Sequence, residues 1–156
     1  MGCGCKNNLL KFSIWGPVLW KFLHGICYNI ENKNVNLDRE IYELLSMLPL
    51  IIPCPVCQNH AKTHILEYPI PRDIREINIW LFTFHNRVRE RKSQKIIISN
   101  MESYYKFYSD YNITKDIINQ ILNILEISVK QNIVSDYNLF ICKNLIDKII
   151  NILNII

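Results

Sequence analysis

The amino-acid sequence predicts an all-α protein, because its apolar residues recur at helical spacing and its prolines fall where helices begin or end. The alternation of strands and helices that marks a parallel sheet is not visible in it. The 156 residues suit one compact domain, and 49% of them are hydrophobic and 21% charged, as in ordinary globular chains. Ala61 is the single alanine, whereas Ile and Asn are over-used, which we attribute to an AT-rich genome.

The first helix is predicted from Trp15 to about Asn29. Gly16 and Pro17 would lie in its first turn, where a proline has no intrahelical hydrogen bond to lose. The polar stretch 31–36 that follows is predicted to be a loop.

Three more helices are predicted before residue 95. Asp38 can cap a helix over residues 39–48, and Pro55 fits the first turn of a helix that runs to about Leu66. A fourth helix fits residues 73–91. The apolar faces of the second and fourth helices consist of Ile41, Leu44, Leu45 and Leu48, and of Ile77, Trp80, Leu81, Phe84 and Val88.

The last third of the chain contains an aromatic segment over residues 104–111, to which we assign no element, and two stretches rich in isoleucine. These stretches cover about residues 115–134 and 138–156 and have helical spacing. Isoleucine also suits strands, so the helical prediction depends on the spacing more than on residue type.

The strongest chemical motif is Cys54-Pro55-Val56-Cys57. Two cysteines at this spacing can close a disulfide within one helical turn. At a helix N-terminus, the unpaired N–H groups and the helix dipole favour a thiolate and lower the pKa of a cysteine. The pair is therefore a candidate redox centre, and the alternative is a buried, unreactive pair of thiols.

A zinc site is a second interpretation of the same stretch. Cys54, Cys57, His60 and His64 could supply four ligands, all within eleven residues. Structural zinc sites more often draw their ligand pairs from separate elements. A zinc-stabilised binding module without catalytic activity is thus the alternative to the redox function.

Trp20, His24 and Tyr28 stand four residues apart and would form one stripe on the first helix. An indole, an imidazole and a phenol each offer a flat ring with a polar edge, which suits a flat heteroaromatic ligand. A core face with hydrogen-bonded polar tips would have the same residues. Trp80 and His85 repeat these residue types on another helix.

The net charge is +4, and basic residues concentrate between Arg72 and Lys95. Such a stretch can meet nucleic acid or the phosphates of a nucleotide cofactor, or can simply face solvent. We find no transmembrane segment and no signal peptide, so a cytoplasmic protein is expected. Structural disulfides are rare in the cytosol, so the six cysteines need another explanation.

Three motifs in order resemble the Erv/ALR family of FAD-linked sulfhydryl oxidases. Residues 20–24 match its Trp-x-x-Leu-His helix, and residues 54–60 match its Cys-x-x-Cys-x-x-His helix. Trp80 and residues 85–88 match its helix with Trp followed by His-Asn-x-Val-Asn. The resemblance covers about residues 12–100 and is greatest to the small versions carried by large DNA viruses.

The resemblance implies a four-helix bundle that holds FAD and oxidises protein thiols to disulfides, with electrons passing through flavin to oxygen to give hydrogen peroxide. Cys57 would lie beside the flavin, and Cys54, nearer the helix start and more exposed, would exchange with the substrate. The residues implied to bind the cofactor are Gly16, Trp20, His24, Tyr28, His60, Trp80, His85, Asn86, Val88, Arg89 and Lys95. Arg89 stands where the family usually has Asn, so the usual amide contact is lost there. No metal is implied.

Cys3 and Cys5 allow three interpretations. By analogy with the family, they would form a shuttle pair that relays disulfides from Cys54 to a partner. Met1-Gly2-Cys3 also resembles an acylation signal, although Lys6 stands where Ser or Thr is expected. The third interpretation is a tail without a role.

The resemblance also divides the chain. Residues 1–10 would be a flexible tail, residues 11–100 the FAD-binding bundle, and residues 101–156 a C-terminal helical extension packed on the same domain. The implied partners are a thiol-containing protein, for which a thioredoxin-like relay is one option, molecular oxygen and a second copy in a homodimer, with no nucleic acid. Cys27 and Cys142 are expected to be buried free thiols, with an occasional structural pair as the alternative.

Overall fold

The computed structural model describes residues 10–95, 100–109 and 113–155, and it contains eight helices and no strand in these ranges. The helices are α1 (Phe12–Lys33), α2 (Asp38–Ser46), α3 (Leu48–Ile51), α4 (Pro55–Glu67), α5 (Ile74–Arg91), α6 (Met101–Ser109), α7 (Lys115–Lys130) and α8 (Asp136–Leu153). The predicted all-α class with additional C-terminal helices is confirmed. Within the described ranges, no helix is long and apolar enough to cross a membrane.

Helix α1 is the central element and is longer than predicted at both ends. It begins one turn before Trp15, so Pro17 is an interior residue that cannot donate a backbone hydrogen bond. At its other end the helix continues into the predicted loop, because the Glu31 side chain accepts hydrogen bonds from α5 and α6. Asn34 ends the helix in the left-handed conformation, with φ of 52°.

Helix α2 ends earlier than predicted, and the short helix α3 follows it. Leu37, not Asp38, is the capping residue, and Asp38 lies in the first turn, where its charge favours the helix dipole. Leu48 belongs to α3 and remains fully buried. The predicted cap and the predicted helix end were therefore wrong, but the predicted apolar face still meets the core.

Helices α4 and α5 match their predicted positions closely. Cys54 caps α4 and Pro55 is its first residue. The Asp73 carboxylate caps α5 and accepts a hydrogen bond from the Arg75 amide at 2.9 Å. On α5 the predicted apolar stripe is buried, except that Val88 is half-buried.

Helix α6 was not predicted, since its tyrosines show no clear separation of apolar and polar faces. In the fold, Tyr104 is fully buried and α6 contacts both α1 and α5. Tertiary contacts, more than sequence periodicity, therefore define this helix.

Helices α7 and α8 confirm the helical interpretation of the isoleucine-rich stretches. They contact α1 and α2 and share one apolar core with them, through residues such as Ile121 and Ile146. Cys27 and Cys142 are fully buried thiols in this core, as predicted. Burial raises the pKa of Cys142 to about 12, so its thiol is unreactive at neutral pH. The boundaries of the C-terminal extension remain a prediction.

We predict that Ile146→Ala destabilises the whole domain by about 2–5 kcal/mol, because it leaves a cavity in the shared core. Ile152→Ala, on the same helix but at a side chain that is 48% exposed, is the matched control and should cost under about 1 kcal/mol. Urea denaturation measures both. Equal losses in the two variants would contradict a core shared by α8 and the N-terminal helices.

Candidate functional site

The two motif cysteines lie at the start of α4 in different environments. The expectation that Cys54 is the more exposed of the two is wrong. Cys54 is fully buried, and its Sγ accepts a hydrogen bond from the Cys57 amide at 3.4 Å. This bond satisfies one of the free N–H groups at the helix N-terminus. Cys57, one turn further on, is half-buried and lines a cleft.

Cys54 is disulfide-bonded. Its partner is none of the other described cysteines, which are Cys27, Cys57 and Cys142. Sequence spacing alone had suggested that Cys54 and Cys57 close a disulfide with each other, and the structure does not contain that bond. Cys3 and Cys5 lie outside the described residues.

The cleft beside Cys57, here called the narrow cleft, is mostly apolar. It is lined by Phe12, Trp15, Leu19, Trp20, Leu23, Leu48, Ile52, Cys57, His60, Phe84, Val88, Arg91 and Lys92. Its free volume is only about 30 Å³, so a planar ring can enter only if the lining side chains move apart. Two cations stand at this cleft, and the ammonium of Lys92 lies 3.9 Å from the centre of the Phe12 ring.

A second cleft, here called the wide cleft, adjoins the first, and its volume is about 650 Å³. It is lined by Phe12, Ser13, Gly16, Pro17, Trp20, Lys21, His85, Arg89, Gln94, Lys95, Phe107 and Tyr108. Phe12 and Trp20 line both clefts, so together the clefts form one elongated site. Three basic residues, Lys21, Arg89 and Lys95, give the wide cleft a positive charge that suits phosphates.

Gly16 keeps this junction open. A Cβ atom at this position would lie 3.0 Å from the edge of the Phe12 ring, closer than ordinary contacts allow. Any larger residue would push the Phe12 ring, which lines both clefts. Close packing against Phe12, more than backbone conformation, therefore favours glycine here, since the residue lies inside a regular helix.

Two histidines and a tryptophan form a stack at the wide cleft. The rings of Trp20 and His85 are nearly parallel, with an angle of 9° and a centroid separation of 4.0 Å. His24 lies behind them, and its Nε2 atom is 2.9 Å from Nδ1 of His85. Burial and the nearby Arg89 lower the pKa of His85 to about 3, and the pKa of His24 is also well below its usual value, mainly through burial. Both imidazoles are therefore neutral at physiological pH.

Comparison with known protein families adds an independent observation. Residues 17–110 match the model of the Erv1/Alr family, which is more than half of the chain. The chain belongs to the Erv1/Alr family. The matched region runs from α1 through α6 and contains the cysteine motif and both histidines of the stack.

Two viral proteins are similar to this Erv1/Alr chain. The FAD-linked sulfhydryl oxidase of African swine fever virus is 32% identical over 107 residues, which are 66% of this chain and 86% of that protein. A protein of Invertebrate iridescent virus 3 named "Putative FAD-linked sulfhydryl oxidase 096R" is 28% identical over 83 residues, covering 50% of this chain and 55% of that protein. No solved structure matches the chain at a significant level.

Several residues that the family resemblance assigned to the cofactor do line these clefts. Cys57, His60 and Val88 are at the narrow cleft, Gly16, His85, Arg89 and Lys95 are at the wide cleft, and Trp20 is at both. Arg89, which replaces the usual Asn, donates hydrogen bonds from Nε to His85 at 3.2 Å and from Nη1 to the carbonyl of Lys95 at 3.0 Å. The guanidinium is thus fixed within the lining of the wide cleft.

Four other assigned residues are not among the described residues that line either cleft: His24, Tyr28, Trp80 and Asn86. His24 contacts the wide cleft only through its hydrogen bond to His85. The Trp80 indole N–H donates to the carbonyl of Tyr68 at 2.7 Å and faces a separate groove. Tyr28 lies beside Tyr105, with 6.4 Å between ring centres. Equal spacing along α1 did not bring Tyr28 to the same surface as Trp20.

The zinc interpretation finds no support. In the part of the chain that the structure describes, no group of three or more Cys, His, Asp or Glu side chains could hold a metal ion. Cys54 is in a disulfide, and the His64 ring stacks on Phe84 with 4.4 Å between centres. Burial, helped by Arg87, lowers the pKa of His64 to about 4.

Sequence reasoning missed some of the cleft residues. Phe12, Trp15, Phe84 and Tyr108 line the clefts, but their residue types alone would equally suit the core. The sequence analysis also did not propose Lys21, Arg91 or Lys92 as individual site residues. The concentration of basic residues near Lys95 was the available signal for the last two.

We predict that the free energy of unfolding falls as the pH drops from 7 towards 4. The unfolded chain takes up a proton on His64 near pH 6.5, whereas the folded chain does so only near pH 4, so acid favours unfolding. His64→Gln should remove roughly 1–2 kcal/mol of the loss between pH 7 and pH 5. Urea denaturation at the two pH values measures this difference.

The matched control is His60→Gln, at a histidine that is only half-buried. It should change the pH dependence less than His64→Gln does. A pH dependence that is the same in His64→Gln as in the natural chain would contradict the prediction.

Proposed function

We propose that this chain is a FAD-dependent thiol oxidase that forms disulfides in protein substrates. Membership of the Erv1/Alr family and the names of both viral relatives support this function. The structural observation that carries it is the position of Cys57, at the N-terminus of α4 and in the lining of an aromatic cleft. The viral relatives also support a viral origin of the chain, and with it a role in the host cytoplasm or the virion.

The residues of the two clefts suit the parts of FAD. The flat, stacked rings of Trp20 and His85 offer a surface for a heteroaromatic ring. Lys21, Arg89 and Lys95 can meet the two phosphates. The flavin end would enter the narrow cleft beside Cys57 after its side chains move apart. When bound, FAD accepts two electrons from the dithiol and passes them to molecular oxygen, which yields hydrogen peroxide.

Cys54 would exchange with the substrate. Attack by a substrate thiolate on a disulfide of Cys54 and Cys57 forms a bond to Cys54 and releases Cys57 as a thiolate. The second substrate thiol then displaces Cys54, so the substrate gains a disulfide and the enzyme becomes a dithiol. The N–H groups at the start of α4 would stabilise negative charge on these sulfurs, and the Cys57 amide already donates a hydrogen bond to Cys54 Sγ.

His60 is suited to take a proton from Cys57. It follows Cys57 by three residues on α4 and lines the same narrow cleft. Burial, together with Arg91 and Lys92, lowers the pKa of His60, so its imidazole is neutral and able to accept a proton. This assignment extends the cofactor-binding role that the family resemblance gave it.

The proposal includes Cys3 and Cys5 as a shuttle pair that relays the disulfide from Cys54 to the substrate. This role rests on the family resemblance, in which terminal tails carry such pairs. The further partners are a thiol-containing protein or a thioredoxin-like relay, and a second copy of the chain in a homodimer.

We predict that Cys57→Ala keeps flavin but lowers dithiol-dependent oxygen consumption on the order of a hundredfold or more, since the thiol that faces the narrow cleft is lost. Cys142→Ala, which removes a buried thiol that lines neither the narrow nor the wide cleft, is the matched control and should keep near-normal turnover. An oxygen electrode measures both. Comparable turnover in the two variants would refute the role of Cys57.

The colour of the purified protein separates the oxidase from the zinc module. We predict the absorbance of bound flavin and no stoichiometric zinc. A colourless protein that carries one zinc ion per chain would instead support the alternative, and a yellow protein without oxygen consumption would indicate an inactive scaffold.

The shuttle makes a separate prediction. The double variant Cys3→Ser/Cys5→Ser should oxidise a small dithiol at the normal rate, because a small reductant needs no relay pair. It should oxidise a reduced protein substrate more slowly, since Cys54 is fully buried. Steady-state rates with both substrates measure the difference. Unchanged rates with the protein substrate would end the shuttle role and leave the oxidase function intact.

A further inference from the structure

A continuous series of hydrogen bonds crosses the molecule from the wide cleft to the end of α1. It consists of Arg89, His85, His24, Tyr104, Asn78 and Glu31. The four distances between Arg89 and Asn78 are 3.2, 2.9, 3.2 and 3.0 Å, and Asn78 lies 2.6 Å from Glu31. The aromatic segment that sequence analysis left without a function supplies Tyr104.

The Glu31 end of the series determines how Asn78 is oriented. The Asn78 amide nitrogen faces two groups that can only accept, the Glu31 carboxylate at 2.6 Å and the Cys27 carbonyl at 3.2 Å. The amide oxygen must therefore face Tyr104. Since an amide oxygen can only accept, the Tyr104 hydroxyl donates its proton to Asn78.

The direction of this bond sets the tautomers of both histidines. The Tyr104 hydroxyl donates its proton to Asn78, so it must accept a hydrogen bond from Nδ1 of His24. The imidazole proton of His24 is therefore on Nδ1. The other nitrogen, Nε2, is then an acceptor and receives the Nδ1 proton of His85. His85 is left with Nε2 as an acceptor, at the lining of the wide cleft.

The Arg89 end independently requires the same direction. A guanidinium can only donate, and Nε of Arg89 lies 3.2 Å from Nε2 of His85. That atom must be an acceptor, which again puts the proton of His85 on Nδ1. The Arg89 end, which can only donate, and the Glu31 end, which can only accept, therefore require the same donor-to-acceptor direction for every hydrogen bond between them.

We propose that Glu31, Asn78 and Tyr104 are positioning residues that hold His24 and His85 in their Nδ1–H tautomers, and thereby hold Arg89 in place within the wide cleft. If the hydrogen bonds ran in the opposite direction, the Nε2–H of His85 would point at the Nε–H of Arg89. Two donors cannot bond each other, so the guanidinium would be displaced. The role of Arg89 towards phosphates rests on the proposed function, whereas the tautomers do not.

The test is nitrogen NMR of the histidine rings in the full-length protein as purified, with ¹⁵N-labelled histidine. The chain has only four histidines, so each ring can be assigned. In the natural chain, we expect His24 and His85 both to be neutral with the proton on Nδ1. An Nε2–H tautomer at either ring would overturn the proposal, and this measurement requires no variant to fold.

Tyr104→Phe is the informative variant, and Tyr105→Phe is its matched control. Each loses one phenol hydroxyl near Glu31, because the Tyr105 hydroxyl donates directly to the Glu31 carboxylate at 2.8 Å, outside the series. In Tyr104→Phe, only the Arg89 end still fixes the direction, so we expect the Nδ1–H tautomer of His24 and His85 to fall from full to partial occupancy and the dissociation constant for FAD to rise roughly two- to tenfold. Tyr105→Phe should change neither.

Equal tautomers in the two variants, or altered tautomers with unchanged FAD affinity in Tyr104→Phe, would refute the positioning role. Failure of the proposed function is a distinct result. In that case the natural chain would bind no FAD, whatever the tautomers of its histidines.

Discussion

The contact between α1 and α5 is the interaction on which both clefts depend. Trp20 on α1 stacks on His85 of α5, and His24 is hydrogen-bonded to the same imidazole. Phe84 packs against the edge of Trp20, with 5.5 Å between ring centres, and faces the narrow cleft. Two aromatic side chains from each helix therefore form one continuous surface. A shift of either helix would alter both clefts at once.

The positions of the two motif cysteines differ relative to this aromatic surface. Helix α4 begins where the chain turns sharply through its prolines, and that turn buries Cys54 while Cys57 opens to the narrow cleft. The two sulfurs therefore have different neighbours although they are one helical turn apart. In the proposed function, the sulfur at the helix start would exchange disulfides, while the sulfur in the cleft would meet a planar ring.

Few of the described buried polar groups around the aromatic surface lack a hydrogen-bond partner. Leaving a donor or acceptor unpaired in such a place would cost free energy, and the imidazoles of His24 and His85 each use both nitrogens. Burial explains why these histidines stay neutral, since it disfavours the charged form. The same burial couples α6 to the clefts, because Tyr104 contributes the hydroxyl that His24 needs.

The sequence by itself determined the helical class, most helix positions, the cysteine motif and the residue types that suit a flavin. Helical periodicity reports which residues share a face, because their spacing fixes their angle around the axis. It cannot report what that face meets. Tyr28 shares a face with Trp20 yet contacts Tyr105, and Trp80 turns away from the clefts. Only the tertiary structure decided these contacts, the existence of α6 and the pairing of His24 with His85, because they depend on residues distant in the chain.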